Sequence, residues 1–124
     1  MPVYRVGPLP EEPMAAAAAF YGEHGARVLP ALQAARGDAP ERAQDIVIIF
    51  APADHTHRGW RLAAVQALAR AAAPLRVNAV ESDDEAAIAA ARAYLAGAPG
   101  LTGQVLPLAQ VLPLDSQGAG VVLG

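Results

Sequence analysis

The stretch DIVIIFAPADHTHRGWRLAAVQALARAAAPLRVNAV, residues 45–80, decides how the chain is read. Residues 45–50 enter an unbroken apolar run rich in β-branched side chains, the pattern of a strand buried on both faces, and Pro52 stops it. Between Arg58 and Ala73, the positions Leu62, Val65, Leu68, Ala69 and Ala72 recur at three- and four-residue spacing, which predicts a helix with one apolar stripe, closed by Pro74. Residues 76–80 return to strand character. Two buried strands joined by a helical crossover lie parallel, with a right-handed connection expected. Ligands of open parallel sheets bind beyond the carboxyl ends of the strands, so residues 51–57 and 81–85 are expected to build any site.

Outward from this unit the pattern repeats. Residues 3–6 predict a short strand, closed by Gly7, Pro8 and Pro10. Residues 11–35 predict a helix with Ala17, Phe20, Tyr21, His24, Val28 and Leu32 inward, bent or split by Gly22, Gly25 and Pro30. Ser82 and Glu85 have capping-box spacing before a helix ending near Ala96 that turns Ile88, Ala91 and Leu95 inward. Residues 104–108, QVLPL, are a strand candidate, and the same five residues recur at 110–114, a local duplication expected to form a hairpin or an extended arm. Residues 121–123 add a last short strand. The expected architecture is α/β: one domain over residues 1–124, a small three-layer Rossmann-like sandwich on a mostly parallel sheet of four or five strands.

Composition excludes several classes. The net charge of -3 offers no basic surface to a phosphate backbone, so no nucleic-acid partner is expected. With no cysteine, disulfides, thiolate metal sites and cysteine nucleophiles are ruled out, and with no lysine so is Schiff-base chemistry. No leader pattern opens the chain and no apolar run is long enough to span a membrane, so the expected location is the cytoplasm. Alanine supplies much of the 54% hydrophobic content, and the small-residue helix faces it makes are expected to be contact surfaces.

Two sets of residues stand out. Asp54, His55, His57 and Arg58 follow the first organising strand, and Glu81 and Asp83 follow the second, so together they form a candidate ligand site. Histidine acid–base work or a bound ion fits such a set; the alternative is that Asp54 or Thr56 caps the next helix while the imidazoles face solvent. A capping box equally accounts for residues 81–85, and Arg58 with Arg61 read as solvated helix-start charges. No metal site is expected. Phe20, His24, Trp60 and Val65 are the candidate contact residues, Trp60 for its large apolar area between a glycine and an arginine.

In order along the chain, residues 28–31 (VLPA), 45–49, 68–74, 76–80 (RVNAV), 85–97 and 102–106 (TGQVL) resemble the C-terminal half of a short-chain dehydrogenase/reductase. The resemblance covers about three quarters of the chain. It implies a Rossmann-like fold and, in that family, dimer contacts built by the helices matching residues 15–35 and 62–73 and by the last helix and strand. The family's glycine-rich phosphate loop is absent from these residues, so no dinucleotide cofactor is expected. The family's catalytic asparagine, serine, tyrosine and lysine fall near Ala17, Ala51, Asp54 and Arg58, none retained, and its Pro-Gly beside the nicotinamide falls on Glu81 and Ser82. An ionised Asp54 does not replace a phenol that donates a proton. The resemblance therefore implies a non-catalytic protein acting as a homodimer or as partner of a full-length reductase. The second reading is a small enzyme or ligand-binding protein using Asp54, His55, His57, Glu81 and Asp83.

Overall fold

The computed structural model describes residues 2–38, 45–108, 110–113 and 120–123. Strand β1 (Val3–Arg5) is followed by α1 (Pro13–Ala19), a π-helical turn (Phe20–Gly25) and α2 (Ala26–Asp38). Then come β2 (Ile46–Phe50), a 3-10 turn (His55–His57), α3 (Arg58–Ala72), β3 (Val77–Glu81), α4 (Glu85–Ala96) and β4 (Val105–Pro107). The four strands form one all-parallel sheet in the order β1-β2-β3-β4. A separate antiparallel pair, β5 (Gln110–Pro113) with β6 (Gly120–Leu123), carries the second QVLPL copy as far as Pro113; Leu114 lies outside the described residues.

Alternation along the strands divides the core between the two faces of the sheet. Ile48, Phe50, Val77 and Ala79 meet Phe20, Val28 and Leu32 and the α3 stripe of Ala64, Val65 and Leu68. Val47, Ile49 and Val80 meet Ile88, Ala91 and Leu95 of α4 on the other face. Each large side chain fully buried in this way contributes about 1.5–3 kcal/mol. Since β2 to β3 and β3 to β4 step the same way across the sheet while α3 and α4 lie on opposite faces, those two crossovers have opposite hands. The β1 to β2 connection shares the hand of the α3 crossover, so the three connections are not all right-handed.

The first helical segment corrects the expected face. Its buried positions are Ala16, Phe20, His24, Val28 and Leu32, a strict four-residue repeat, while Tyr21 is 49% exposed and Ala17 is only half-buried. On a 3.6-residue helix each such step over-rotates by about 40°. The wider π-helical turn absorbs that drift and keeps the row on the sheet. In α3 the stripe also shifts: Leu62 is exposed and Arg61 is turned inward.

The two motifs that carried the family resemblance hold each other. Asn78 is buried in β3, donates from Nδ2 to the Leu101 carbonyl (2.9 Å) and accepts from the Gln104 amide (3.0 Å). The Thr102 hydroxyl accepts from the Val77 amide at 3.1 Å. Gly103 between them has φ of 71°, and a Cβ there would lie 3.5 Å from Gln66 of α3. RVNAV thus places TGQVL against its own edge. Arg76, just before β3, pairs with Asp45 (2.7 Å) and donates to the Leu95 and Ala98 carbonyls at the end of α4, where a cation complements the helix dipole.

The capping box of Ser82 and Glu85 does not form. Asp84 caps α4 instead, accepting from the Ala86 amide, and Ser82 Oγ accepts from the Asp84 amide. Glu85 is released to make a two-point bridge with Arg5 of β1 at 2.8 and 2.9 Å.

Candidate functional site

A cavity of about 530 Å³ opens at the carboxyl ends of β1 and β2. One wall is the proline-rich connection from Val6 to Glu11, the other is the segment from Phe50 to Asp54, and His57 and Arg61 complete it. Its place is the one parallel-sheet topology dictates.

His57 is 7% exposed. Its Nδ1 lies 2.9 Å from Trp60 Nε1 and its Nε2 lies 3.0 Å from the Glu11 carbonyl oxygen. The indole N–H only donates and the carbonyl only accepts, so Nδ1 is the acceptor and Nε2 carries the proton. The imidazole therefore locks the β1–α1 connection to the first turn of α3. Trp60 packs on Phe20 and Phe50 with ring centroids 5.6 and 5.7 Å away, and its polar edge is satisfied by His57.

Arg61 corrects the reading of a solvated charge: it is 4% exposed. Its Nη1 lies 2.7 Å from Glu81 Oε2 and 2.9 Å from the Ala51 carbonyl oxygen, and its guanidinium carbon stands 4.5 Å over the Phe50 ring. Its Nε has no hydrogen-bond partner. The periodicity contained this signal: Arg61, Val65, Leu68 and Ala72 lie on one helical stripe. What sequence spacing does not supply is the carboxylate that makes burial of the charge tolerable, twenty residues downstream on another strand.

Of the six candidate ligand residues, Asp54 and His57 line the cavity and Glu81 is held by Arg61. His55, Arg58 and Asp83 are exposed. Asp54 caps the 3-10 turn: its carboxylate accepts from the hydroxyl and the amide of Thr56, and those bonds, the hydroxyl first, hold its pKa below the ordinary carboxylate range. Among the described residues no three His, Asp or Glu side chains converge as a metal site would require.

The contact candidates also move. Phe20 and Val65 are fully buried beneath this chain's own side chains, and His24 is 8% exposed with Nδ1 2.9 Å from the Tyr4 hydroxyl. A different surface lies one layer out. It is an apolar groove of about 300 Å³ between Tyr21 and Leu29 on one side and Ala64 and Ala67 on the other. Met14, Tyr21, Leu62 and Tyr94 are the exposed large apolar side chains of the described residues. No helix among them is long and apolar enough to cross a membrane.

Ala51 offers only its carbonyl to Arg61, Asp54 is a cap, and Arg58 is exposed. Comparison with curated proteins and with solved structures finds no match. The family model described as "Short chain dehydrogenase-like protein" matches residues 4–108, the span from β1 through β4. On that match and on the parallel sheet it encompasses, the chain belongs to the short-chain dehydrogenase-like family.

Proposed function

We propose that this chain is a non-catalytic short-chain-dehydrogenase-like protein that acts through association, with a second copy of itself or with a full-length reductase. The observation that carries the reading is the Arg61–Glu81 pair. Glu81 stands where the family keeps the Pro-Gly beside its nicotinamide, and the guanidinium that neutralises it is packed on Phe50. Ala51, Asp54 and Arg58 stand where hydride chemistry needs serine, tyrosine and lysine. The groove between the π-helical turn and α3 supports the associating face, since its helices match those that build the family's dimer contact. A two-fold arrangement across this groove would bring Tyr21 and Leu29 of both copies together.

Sedimentation velocity over a concentration series tests this. A dimer that Tyr21→Glu, at the exposed rim of the groove, converts to monomer is expected. A chain that stays monomeric at every concentration and retains no reductase in a pull-down overturns the proposal. The second reading, a ligand-binding protein, is favoured by the cavity that Asp54 and His57 line; its metal-binding form has no support in the arrangement of His55, Glu81 and Asp83.

A further inference from the structure

We propose that the free edge of β1 is a second contact face, additional to the groove: it pairs antiparallel, across a two-fold axis at Tyr4, with β1 of another copy of this chain. The two ends of the sheet differ as edges. On β4, the Gln104 carbonyl accepts from Ala79 and the Leu108 amide donates to Glu81, so residues 105 and 107 turn outward, and Pro107 has no N–H to offer. On β1, the Pro2 carbonyl accepts from the Val47 amide and the Val6 amide donates to the Ile49 carbonyl. Residues 2, 4 and 6 thus face β2, and Val3 and Arg5 each turn an amide and a carbonyl outward, with no partner among the described residues. A charge on an edge strand ordinarily discourages pairing. Here the Arg5 guanidinium is drawn onto Glu85, toward the α4 face of the sheet, at 2.8 and 2.9 Å.

The occupant is a second copy because the surface complements itself. With Tyr4 opposite Tyr4 of the other copy, Val3 and Arg5 exchange amide and carbonyl bonds with Arg5 and Val3 across the axis, which satisfies every outward group of both strands. The helical segment over β1 adds charge complementarity. Its row of Ala16, Phe20, His24, Val28 and Leu32 meets the sheet, and Tyr21, Gly25 and Leu29 line the groove beside α3. Glu23 and Arg27, both exposed, therefore stand on the other flank, and because α3 lies toward β3 and β4 that flank borders the β1 edge. His24 sets the level of the axis on this segment, since its Nδ1 lies 2.9 Å from the Tyr4 hydroxyl. A two-fold axis normal to the sheet places the two segments side by side and antiparallel, which brings Glu23 of each copy toward Arg27 of the other. Neither residue makes an ion pair among the described residues.

The contact is small, so its dissociation constant is expected at about 0.1–1 mM, weaker than a contact that sedimentation at micromolar concentration detects. Every measurement is made in the full chain carrying Tyr21→Glu, which removes the groove contact, so the edge succeeds or fails independently of it. With β1 unaltered, the amide resonances of Val3 and Arg5 are expected to shift with chain concentration up to about 2 mM. Arg5→Pro removes an outward N–H and no bond to β2, and it is expected to weaken the association about tenfold or more. Glu23→Arg is expected to weaken it about fivefold, and Arg27→Glu added to it to restore it. The native chain has no cysteine, so Tyr4→Cys supplies a single thiol. Opposed Tyr4 positions stand about 4.5 Å apart at Cα, within disulfide reach, whereas two Val3 positions are offset by two residues and lie beyond it. Oxidation is expected to cross-link Tyr4→Cys at least about tenfold faster than Val3→Cys. Concentration-independent resonances of Val3 and Arg5, equal cross-linking at the two positions, undiminished association of Arg5→Pro, or a charge swap that fails to restore what Glu23→Arg loses each overturns the proposal.

Discussion

Arg61 of α3 and Glu81 of β3 meet at 2.7 Å beneath the carboxyl ends of the strands, with side-chain exposures of 5% and 16%. A buried ion pair contributes little net stability over an apolar pair of the same shape, but losing one partner strands the other charge. The two residues therefore act as a unit that joins helix to sheet, and Arg61 is the one that lines the cavity.

Breaking that unit from either side is expected to destabilise the chain by about 3 kcal/mol, whereas replacing both residues with apolar ones, Arg61→Met with Glu81→Leu, costs less than either single change. Urea unfolding of the two singles and the double measures the coupling. Additive losses would contradict it.

Asn78→Ala is expected to cost about 2–4 kcal/mol, because it leaves the Leu101 carbonyl and the Gln104 amide without their partner next to the sheet. Hydrogen exchange separates this from general destabilisation: protection should fall first along residues 101–107, where Asn78 holds the edge strand.

Trp60→Phe keeps the ring packing on Phe20 and Phe50 but removes the donor to His57, for an expected loss of about 1 kcal/mol in thermal unfolding. In the native chain, nitrogen chemical shifts of the His57 ring should report the tautomer protonated at Nε2. Protonation at Nδ1 would refute the bond network drawn for this residue.

Glu12 caps α1, and its carboxylate accepts from the Met14 and Ala15 amides, which hold its pKa below the ordinary carboxylate range. Because the folded pKa is the lower one, the stabilisation is fully present above the unfolded pKa and is lost as pH falls through the folded one. Melting temperature against pH should therefore decline on acidification, and Glu12→Gln should flatten that decline at its acid end.

The strands and helices were legible because each rests on a local pattern. Residues 46–50 are apolar on both sides of the pleat, and Leu68 and Ala72 share a face with Val65 whatever surrounds them. The same reasoning failed where a competing local solution was available. Ser82 and Glu85 have the spacing of a capping box, but Asp84 reaches the Ala86 amide at 3.0 Å and Arg5 draws Glu85 away to another layer. The four-residue row from Ala16 to Leu32 was read with a helical period that does not fit it, so Tyr21 was assigned to the core and stands in solvent.

The candidate site divided along the same line. Asp54 and His57 line the cavity because topology alone sends residues after a buried strand to the sheet's carboxyl edge. Phe20 and Val65 were assigned to a contact surface, but they are core, since a helix face rich in alanine looks alike whether it meets a sheet or a second chain.

Taken alone, the order of residues determined the α/β class and the parallel pairing around the 45–80 unit, because each depends on residue types and on spacing within one element. Only the tertiary structure decided that Arg61 is buried on Glu81, that His57 joins Trp60 to the Glu11 carbonyl, and that α4 crosses with the opposite hand to α3. Those features are meetings between distant segments, set by which face each helix turns to the sheet, and hydrophobic periodicity carries no record of the partner across the gap.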